Sequence, residues 1–447
     1  MSFGARRPRL RRHPTQTVVA GFVAAILLGA GLLSIPGATT APGSAPVETA
    51  FFTATSAITV TGLVTVDTAT YWTPFGQAVI IGLIQLGGLG IMTSASLLFL
   101  VAARRMGLRG RMATQTETHT IDLGDLRRLV LTIVLFSFFC EALVSGVLAL
   151  RLWAGGDSVG EALWQGGFHG VSAFNNAGFS LYSDNLVRFA TDGWILLPVA
   201  AAVIAGGLGF PVWVDLRERF RTPRRWSLHT KLTLATTAAL LVVGTVAITA
   251  IEWDNERTFG DDDAPGRMLG GFFAAVMPRT AGFNAVDYDA MGSETLLVTD
   301  MLMFAGGGSG GTAGGLKVTT LALLFLVVWA ELRGGEVRAF RRRIPGVSER
   351  QALTVAVLSL NTVVLATLVL MLTNELPLPV ALFECVSAFS TVGLSTGVTD
   401  DLDGVGQALL MPLMLIGRVG PLTLFVALVL RERQPLYKHP EERPLVG

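Results

Sequence analysis

The chain has 447 residues, 51% of them hydrophobic and only 15% charged, with a mean hydropathy of +0.57. A soluble domain carries about 25% charged residues, so an ordinary soluble enzyme is excluded. Lys and Arg (34) nearly balance Asp and Glu (33), which leaves no basic character suited to nucleic acid. The two cysteines, Cys140 and Cys385, lie in apolar stretches, so neither a disulfide framework nor a zinc site is expected. The composition is that of an all-α polytopic membrane protein.

Eight stretches are apolar and long enough to cross a bilayer, which needs about 20 residues. In chain order they are Val18–Ile35, Pro74–Ala102, Leu129–Leu150, Trp194–Val214, Leu232–Ile251, Leu296–Ala330, Leu353–Leu372 and Ala408–Leu430. The first follows Arg6, Arg7, Arg9, Arg11 and Arg12, as in a signal peptide, but no small-residue cleavage site precedes Pro36, so it reads as a retained helix. Of the 34 basic residues, 27 fall on the N-terminus, the tail and the connections Arg104–Arg128, Arg217–Lys231 and Arg333–Arg350. Basic connections stay inside, which puts both termini and three loops in the cytoplasm. The opposite connections carry Asp67, Asp184, Asp192, Asp261-Asp262-Asp263 and Asp400, Asp401 and Asp403. An acidic outer face concentrates cations.

Between the spans of each pair lies a shorter apolar stretch, and the four are related. They run from Phe51 to Asp67, Phe168 to Asp184, Phe272 to Asp287 and Phe383 to Asp400. Three of them contain Ser-Ala, and all contain a glycine followed by Leu or Phe. Aligned on Gly62, Gly178, Gly282 and Gly393, they are 116, 104 and 111 residues apart. About ten to thirteen helical residues cannot span, so each segment re-enters on the face it left. Val60-Thr61-Gly62, Asn176-Ala177-Gly178, Thr280-Ala281-Gly282 and Thr391-Val392-Gly393 then supply non-helical backbone at membrane depth. Four such strands around one axis give rings of carbonyl oxygens that replace the hydration shell of a cation. The half-helices before them aim negative C-terminal ends at that axis.

The strings TVTGL, NNAGF, RTAGF and STVGL, with the later GGGSGGTAGGLK and GRVGPLT, resemble in order the pore loops and inner helices of the Trk/Ktr/HKT superfamily of potassium transporters. The resemblance runs from about Thr17 to Leu430 and is nearest the bacterial Ktr-type membrane subunit, because one helix rather than three precedes the first pore loop. It implies eight transmembrane helices and four re-entrant loops, as four M1-P-M2 repeats around one pore, in a bacterial cell membrane. It also implies a homodimer and a cytosolic RCK-type ring of regulatory subunits, with adenine nucleotide bound by the ring. K⁺ is the implied transported ion. Sodium dependence occurs in the family, and no residue here carries it over. The corresponding organisation is a basic N-terminus 1–16, repeat 1 at 17–103, loop and repeat 2 at 104–217, loop and repeat 3 at 218–333, loop and repeat 4 at 334–431, and a tail at 432–447.

Three cations fall inside the spans, where a charge costs at least about 2.5–3.5 kcal/mol and so marks a functional site. Arg279, three residues before Gly282, is read as bracing the pore loops by pairing with a buried acid such as Glu384 or Glu48; direct ion control is the alternative. Arg418 interrupts the last helix within Gly417-Arg418-Val419-Gly420-Pro421. The resemblance implies that it faces the pore below the filter, and plain packing is the alternative. Lys317 closes the run Gly306-Gly307-Gly308-Ser309-Gly310-Gly311-Thr312-Ala313-Gly314-Gly315-Leu316. That run contains a GxGxxG pattern with no strand before it, and it lacks the Gly-Lys-Ser/Thr of a phosphate loop, so no nucleotide site is expected. Its glycines each cost a helix about 1 kcal/mol. From Gly292 to Arg333 a continuous helix would also reach about 63 Å, twice the hydrocarbon thickness. The run is therefore read as an intramembrane gating loop, residues 305–316, lying in a watery vestibule below the filter. His169 reads as a packed histidine, and His119 with Glu117 and Asp122 is insufficient for a metal. A solute symporter with broken helices would show inverted repeats, whereas these are parallel. An intramembrane enzyme would need a catalytic constellation that the spans lack.

Overall fold

The computed structural model describes residues 14–111, 123–260 and 262–420. The N-terminal arginines, His119, Asp261 and everything after Gly420, including the second part of the expected eighth span, lie outside them. The first unit comprises α1 (Pro14–Leu33), α2 (Val47–Ile58), α3 (Thr68–Tyr71) and α4 (Pro74–Arg111). The second comprises α5 (Leu123–Ala154), α6 (Val159–Phe174), α7 (Gly193–Leu208) and α8 (Phe210–Arg219). Next come α9 (Leu228–Ile251), α10 (Ala264–Val276), α11 (Ser293–Phe304) and α12 (Val318–Leu332). A small hairpin of β1 (Arg338–Ala339) and β2 (Arg342–Arg343) leads to α13 (Gly346–Asn374), α14 (Leu378–Ser390) and α15 (Gly404–Val419).

Local chemistry sets the element ends. Ser158 and Glu161 form a reciprocal capping box at the start of α6, and Asp263 and Asp403 accept from the Gly266 and Gly406 amides to start α10 and α15. Pro265 and Pro379 sit in the first turns of α10 and α14, where their missing N–H costs nothing. The hairpin departs from the all-helical expectation. It closes through Phe340 and Arg341, both left-handed (φ 47° and 64°), a turn whose twist matches that of paired strands.

Among the described residues, four helices are long and apolar enough to cross a membrane on their own: Pro74–Thr93 within α4, Arg127–Ala154 within α5, α9 and α13. Val242, Val243 and Val246 on α9 and Leu360, Val364 and Leu368 on α13 are exposed apolar side chains, as on helices that face hydrocarbon. The expected fourth span, Trp194–Val214, is not one helix. It stops at Leu208, and α8 departs at 94°. Gly209 forms the corner at φ +92°, and Pro211 in the next turn has no N–H with which to continue the ladder. The sixth stretch breaks as expected, with α11 ending at Phe304 and α12 starting at Val318.

The short helices α2, α6, α10 and α14 occupy the centre. Phe174 at the end of α6, Phe273 on α10, and Phe383 and Phe389 on α14 are all buried. Longer helices surround them and leave their own outer faces bare.

Candidate functional site

The four glycine-centred strands meet in a closed ring. A Cβ placed on Gly62 would lie 3.3 Å from the Gly178 Cα, one on Gly178 2.8 Å from the Gly282 Cα, one on Gly282 3.1 Å from the Gly393 Cα, and one on Gly393 2.9 Å from the Gly62 Cα. Each glycine is thus touched by the next repeat's strand, in chain order, and the fourth returns to the first. All four have positive φ, from +70° to +98°. No other residue fits both demands.

The residue two before each glycine is also left-handed: Val60 (φ 54°), Asn176 (59°), Thr280 (68°) and Thr391 (52°). The sequence places non-helical backbone in these triplets, and the structure adds that their first residues are left-handed as well as their glycines. A β-branched residue in this region costs of order 1–3 kcal/mol and persists only where its surroundings fix it. Here the Ser-Ala signature supplies part of the fixing. The Ser56 and Ser387 hydroxyls accept from the Gly62 and Gly393 amides at 3.0 and 3.1 Å, and Ser172 donates to the Phe179 carbonyl at 2.9 Å. Repeat 3 has Val276 at this position, so the Gly282 amide reaches only the Met277 carbonyl, at 3.4 Å.

On one side of the ring lies a cavity of about 550 Å³ whose walls include Gly62, Gly178 and Gly393. Asp67, Asp184, Asp287 and Asp400 line it, one from each repeat. Asp67 also accepts from Ser183 at 2.6 Å, and Asp184 pairs with Arg188 at 2.7 Å. Burial pushes the Asp184 carboxyl up, but the Arg188 hydrogen bond and charge outweigh it and hold the carboxyl below the usual range.

On the other side the glycine run packs against the ring. Every residue from Ala305 to Leu316 is buried except Ser309, which is half-buried, so a loop in open water is replaced by a close-packed plug. Gly308 and Thr312 donate their amides to the carbonyls of Gly207 (2.7 Å) and Gly206 (3.2 Å) at the end of α7. The Phe210 amide at the start of α8 donates to Gly310 (3.1 Å). Thr312 Oγ1 donates to Asn176 Oδ1 at 2.9 Å and so ties the loop to the second ring strand. Gly314 abuts Ser390, where an added Cβ would stand 3.0 Å from its carbonyl oxygen.

The three cations converge on this loop. Arg279 donates to the Gly306 carbonyl at 3.2 Å, Lys317 to that of Ala313 and Arg418 to that of Thr312. Arg279 Nη1 and Arg418 Nε and Nη2 are buried without a partner among the described residues. The expected pairing of Arg279 with Glu384 or Glu48 is not present. Arg279 follows the C-terminal end of α10, on the loop side of the ring, whereas Glu48 occupies the first turn of α2. Glu384 is taken up on the cavity side by Ser395 (2.6 Å), Thr399 (2.7 Å) and the Thr396 amide (3.0 Å). His169 is packed as read, between the Gln165 carbonyl at 2.7 Å and Ser180 Oγ at 2.9 Å, with its ring stacked on Tyr182.

Among the described residues Glu141, Asp215, Glu252 and Asp300 are buried acids that the sequence reading does not single out, and Glu141 bears most directly on the ring. Glu141, in α5, accepts from Gln85 Nε2 and Asn175 Nδ2, both at 3.0 Å, and Asn175 caps α6 directly before Asn176. A lone glutamate within a 28-residue apolar span was the available signal.

The comparisons fit this geometry. The family described as TrkH, cation transport protein, matches residues 5–438. The chain belongs to that family of membrane cation transporters. Within it, the chain is 40% identical to the Ktr system potassium uptake protein B of Bacillus subtilis over 98% of both sequences. It is 37% identical to the potassium/sodium uptake protein NtpJ of Enterococcus hirae over the whole of each. It is also 37% identical to the Ktr system potassium uptake protein B of Vibrio alginolyticus, over 99% of this chain and 97% of that one. The fold matches the crystal structure of the potassium transporter TrkH from Vibrio parahaemolyticus with a TM-score of 0.72 at 17% identity, covering 95% of this chain and 87% of the other.

Proposed function

We propose that this chain is the K⁺-translocating subunit of a Ktr-type uptake system in a bacterial cell membrane, with both termini in the cytoplasm. Eight spans and four re-entrant loops are arranged as four repeats about one pore. Ions enter through the acidic cavity, lose water to the carbonyls of Val60-Thr61-Gly62, Asn176-Ala177-Gly178, Thr280-Ala281-Gly282 and Thr391-Val392-Gly393, and leave past the glycine loop. The membrane potential supplies about 2.3 kcal/mol per charge per 100 mV, so no covalent chemistry is needed. The observation that carries this reading is the closed ring, in which every glycine has positive φ and touches the next strand.

The loop Gly306–Gly315, with Lys317 and Arg418, is the gate. Buried between ring and exit, it holds three positive charges in the cation path, which raises the barrier while it is in place. Arg279 braces the ring through this loop rather than through an acid. The relatives' printed names support K⁺ as cargo and leave Na⁺ as the second ion to compare. The name "Ktr system" supports a partner component. We assign it as an RCK-type cytosolic ring that binds adenine nucleotide, docked on a homodimer of this chain.

The test is flux of K⁺, Rb⁺ and Na⁺ in proteoliposomes of the full chain and of Gly62→Ser, Gly178→Ser, Gly282→Ser and Gly393→Ser. Altered discrimination or lost K⁺ flux is expected in at least three variants. Unchanged discrimination in all four, at normal expression, removes the filter assignment.

A further inference from the structure

The bend at Gly209 turns α8 through 94° from the axis of α7. If α7 crosses the membrane, α8 lies along its face, on the side of the basic connections. Its residues suit that position. Trp213 is turned inward, its indole donating to the Ala205 carbonyl at 2.9 Å and its ring against Phe136, while Val214 and Phe220 are exposed, Phe220 to 76%. Arg217 and Arg221 lie among them in the sequence, and Arg224 and Arg225 follow in the turn before α9. Exposed apolar side chains interleaved with arginine are the pattern of a segment that rests in the headgroup region.

The turn is held in one shape. Asp215 accepts from Arg219 at 3.1 Å and from the Ser227 amide at 2.7 Å, and the Trp226 indole donates to the Arg219 carbonyl at 3.0 Å. Asp215 is thereby used up. The side chains of Arg217, Arg221, Arg224 and Arg225 have no hydrogen-bond or ion-pair partner among the described residues. We propose that α8 and this turn bind the headgroups of anionic phospholipids in the inner leaflet, with the arginines on phosphate and Phe220 among the acyl chains. An acidic protein surface would satisfy the arginines but would leave Phe220 without a role.

The site is joined to the loop under the ring. The Phe210 amide donates to the Gly310 carbonyl at 3.1 Å, and a Cβ on Gly209 would stand 3.0 Å from the Gly311 amide nitrogen. A headgroup that draws α8 toward the bilayer therefore pulls on the segment assigned as the gate. This second step rests on the gating reading above, whereas lipid binding does not.

The test uses the full chain in phosphatidylcholine vesicles with phosphatidylglycerol as the minor component. Spin-labelled forms of each lipid report which is immobilised by the protein. Phosphatidylglycerol should be preferred, and Arg221→Gln, Arg224→Gln and Arg225→Gln together should lower the preference at least about tenfold, given about fivefold per arginine. High salt should weaken the preference in the parent. Equal immobilisation of both lipids, or a preference the variant retains, overturns the site. Loss of a copurifying cytosolic partner with lipid preference unchanged also overturns it and makes the patch a protein surface. Rb⁺ flux on the same vesicles separates the two readings: if the preference is lost in the variant while flux ignores phosphatidylglycerol, the lipid site stands and the gating reading fails.

Discussion

The ring and the loop beneath it are both built on glycine, for different reasons. In the ring, each glycine has a backbone conformation closed to other residues and also touches a neighbouring strand. In the loop, only Gly310 and Gly315 have positive φ. The rest are glycine because α7, the loop itself or, at Gly314, Ser390 and Thr391 come too close for a side chain, as at Gly311, 2.8 Å from the Gly206 oxygen to an added Cβ. The ring glycines define a fixed shape, and the loop glycines define a removable fit. On the proposed reading, a shape that is wrong would alter which ion passes, and a fit that is loosened would alter whether any ion passes.

That contrast can be broken at several points. The largest effect is expected from Gly393→Ala, where strain and overlap with the Thr61–Gly62 backbone combine. Discrimination between K⁺ and Na⁺ should fall by about tenfold or more, from an energetic perturbation of order 1–3 kcal/mol. Reversal potentials measured in mixed-ion vesicles give this directly, and an unchanged value would make the ring a packing feature. Next in size is removal of Gly307–Gly311. Flux should rise several-fold with ion preference intact, and dependence on the cytosolic partner should weaken, because the cation-bearing plug is gone. Equal rates with and without the deletion, at matched incorporation, would place the gate elsewhere.

Smaller effects sharpen the picture. Glu141→Leu removes the acceptor shared by the half-buried Gln85 amide and by Asn175, which keeps Gln85 Oε1 and the Val171 carbonyl, a loss of about 1–3 kcal/mol in all. The melting temperature should drop, and discrimination should shift because Asn175 holds the second strand. Glu141→Gln, which keeps an acceptor, should recover most of both. Arg418→Gln should act in the direction of the loop deletion, more weakly, since only one of three cations is lost. The smallest change is Ser387→Ala, which removes one hydrogen bond to the Gly393 amide, about 1 kcal/mol. It should lower stability slightly and leave flux near the parent.

Much of this was legible in the residues. The spacing of Gly62, Gly178, Gly282 and Gly393 placed the four strands, and the glycine run announced the break between α11 and α12, because both signals are local and repeated. The bend at Gly209 was only half legible. Trp194–Val214 is apolar throughout and reads as one span on that count, although it holds Gly206-Gly207-Leu208-Gly209-Phe210-Pro211; that local break becomes a 94° corner through contact with Gly310 and Gly311, a hundred residues on. The partner of Arg279 was missed for a related reason: expecting a charge to find a countercharge overlooks carbonyls, which a close-packed loop presents in number. Glu141 was overlooked because attention went to intramembrane cations, although an acid in hydrocarbon is equally conspicuous.

Repeat 3 lacks the serine that ties Gly62 and Gly393 in place, and the same repeat carries Arg279 and the glycine loop. The Gly282 amide is therefore held by a single long bond, whereas Gly62 and Gly393 keep a hydroxyl acceptor and the Ser172 hydroxyl of repeat 2 is spent on the Phe179 carbonyl. In a hydrogen-exchange experiment the Gly282 amide should exchange before those of Gly62 and Gly393, since local opening follows the weakest local network. The fourfold plan is in this sense only approximate. The loop proposed as the gate touches this strand through Arg279, the second through Asn176 and the fourth through Ser390, so loosening it would be felt at three of the four strands.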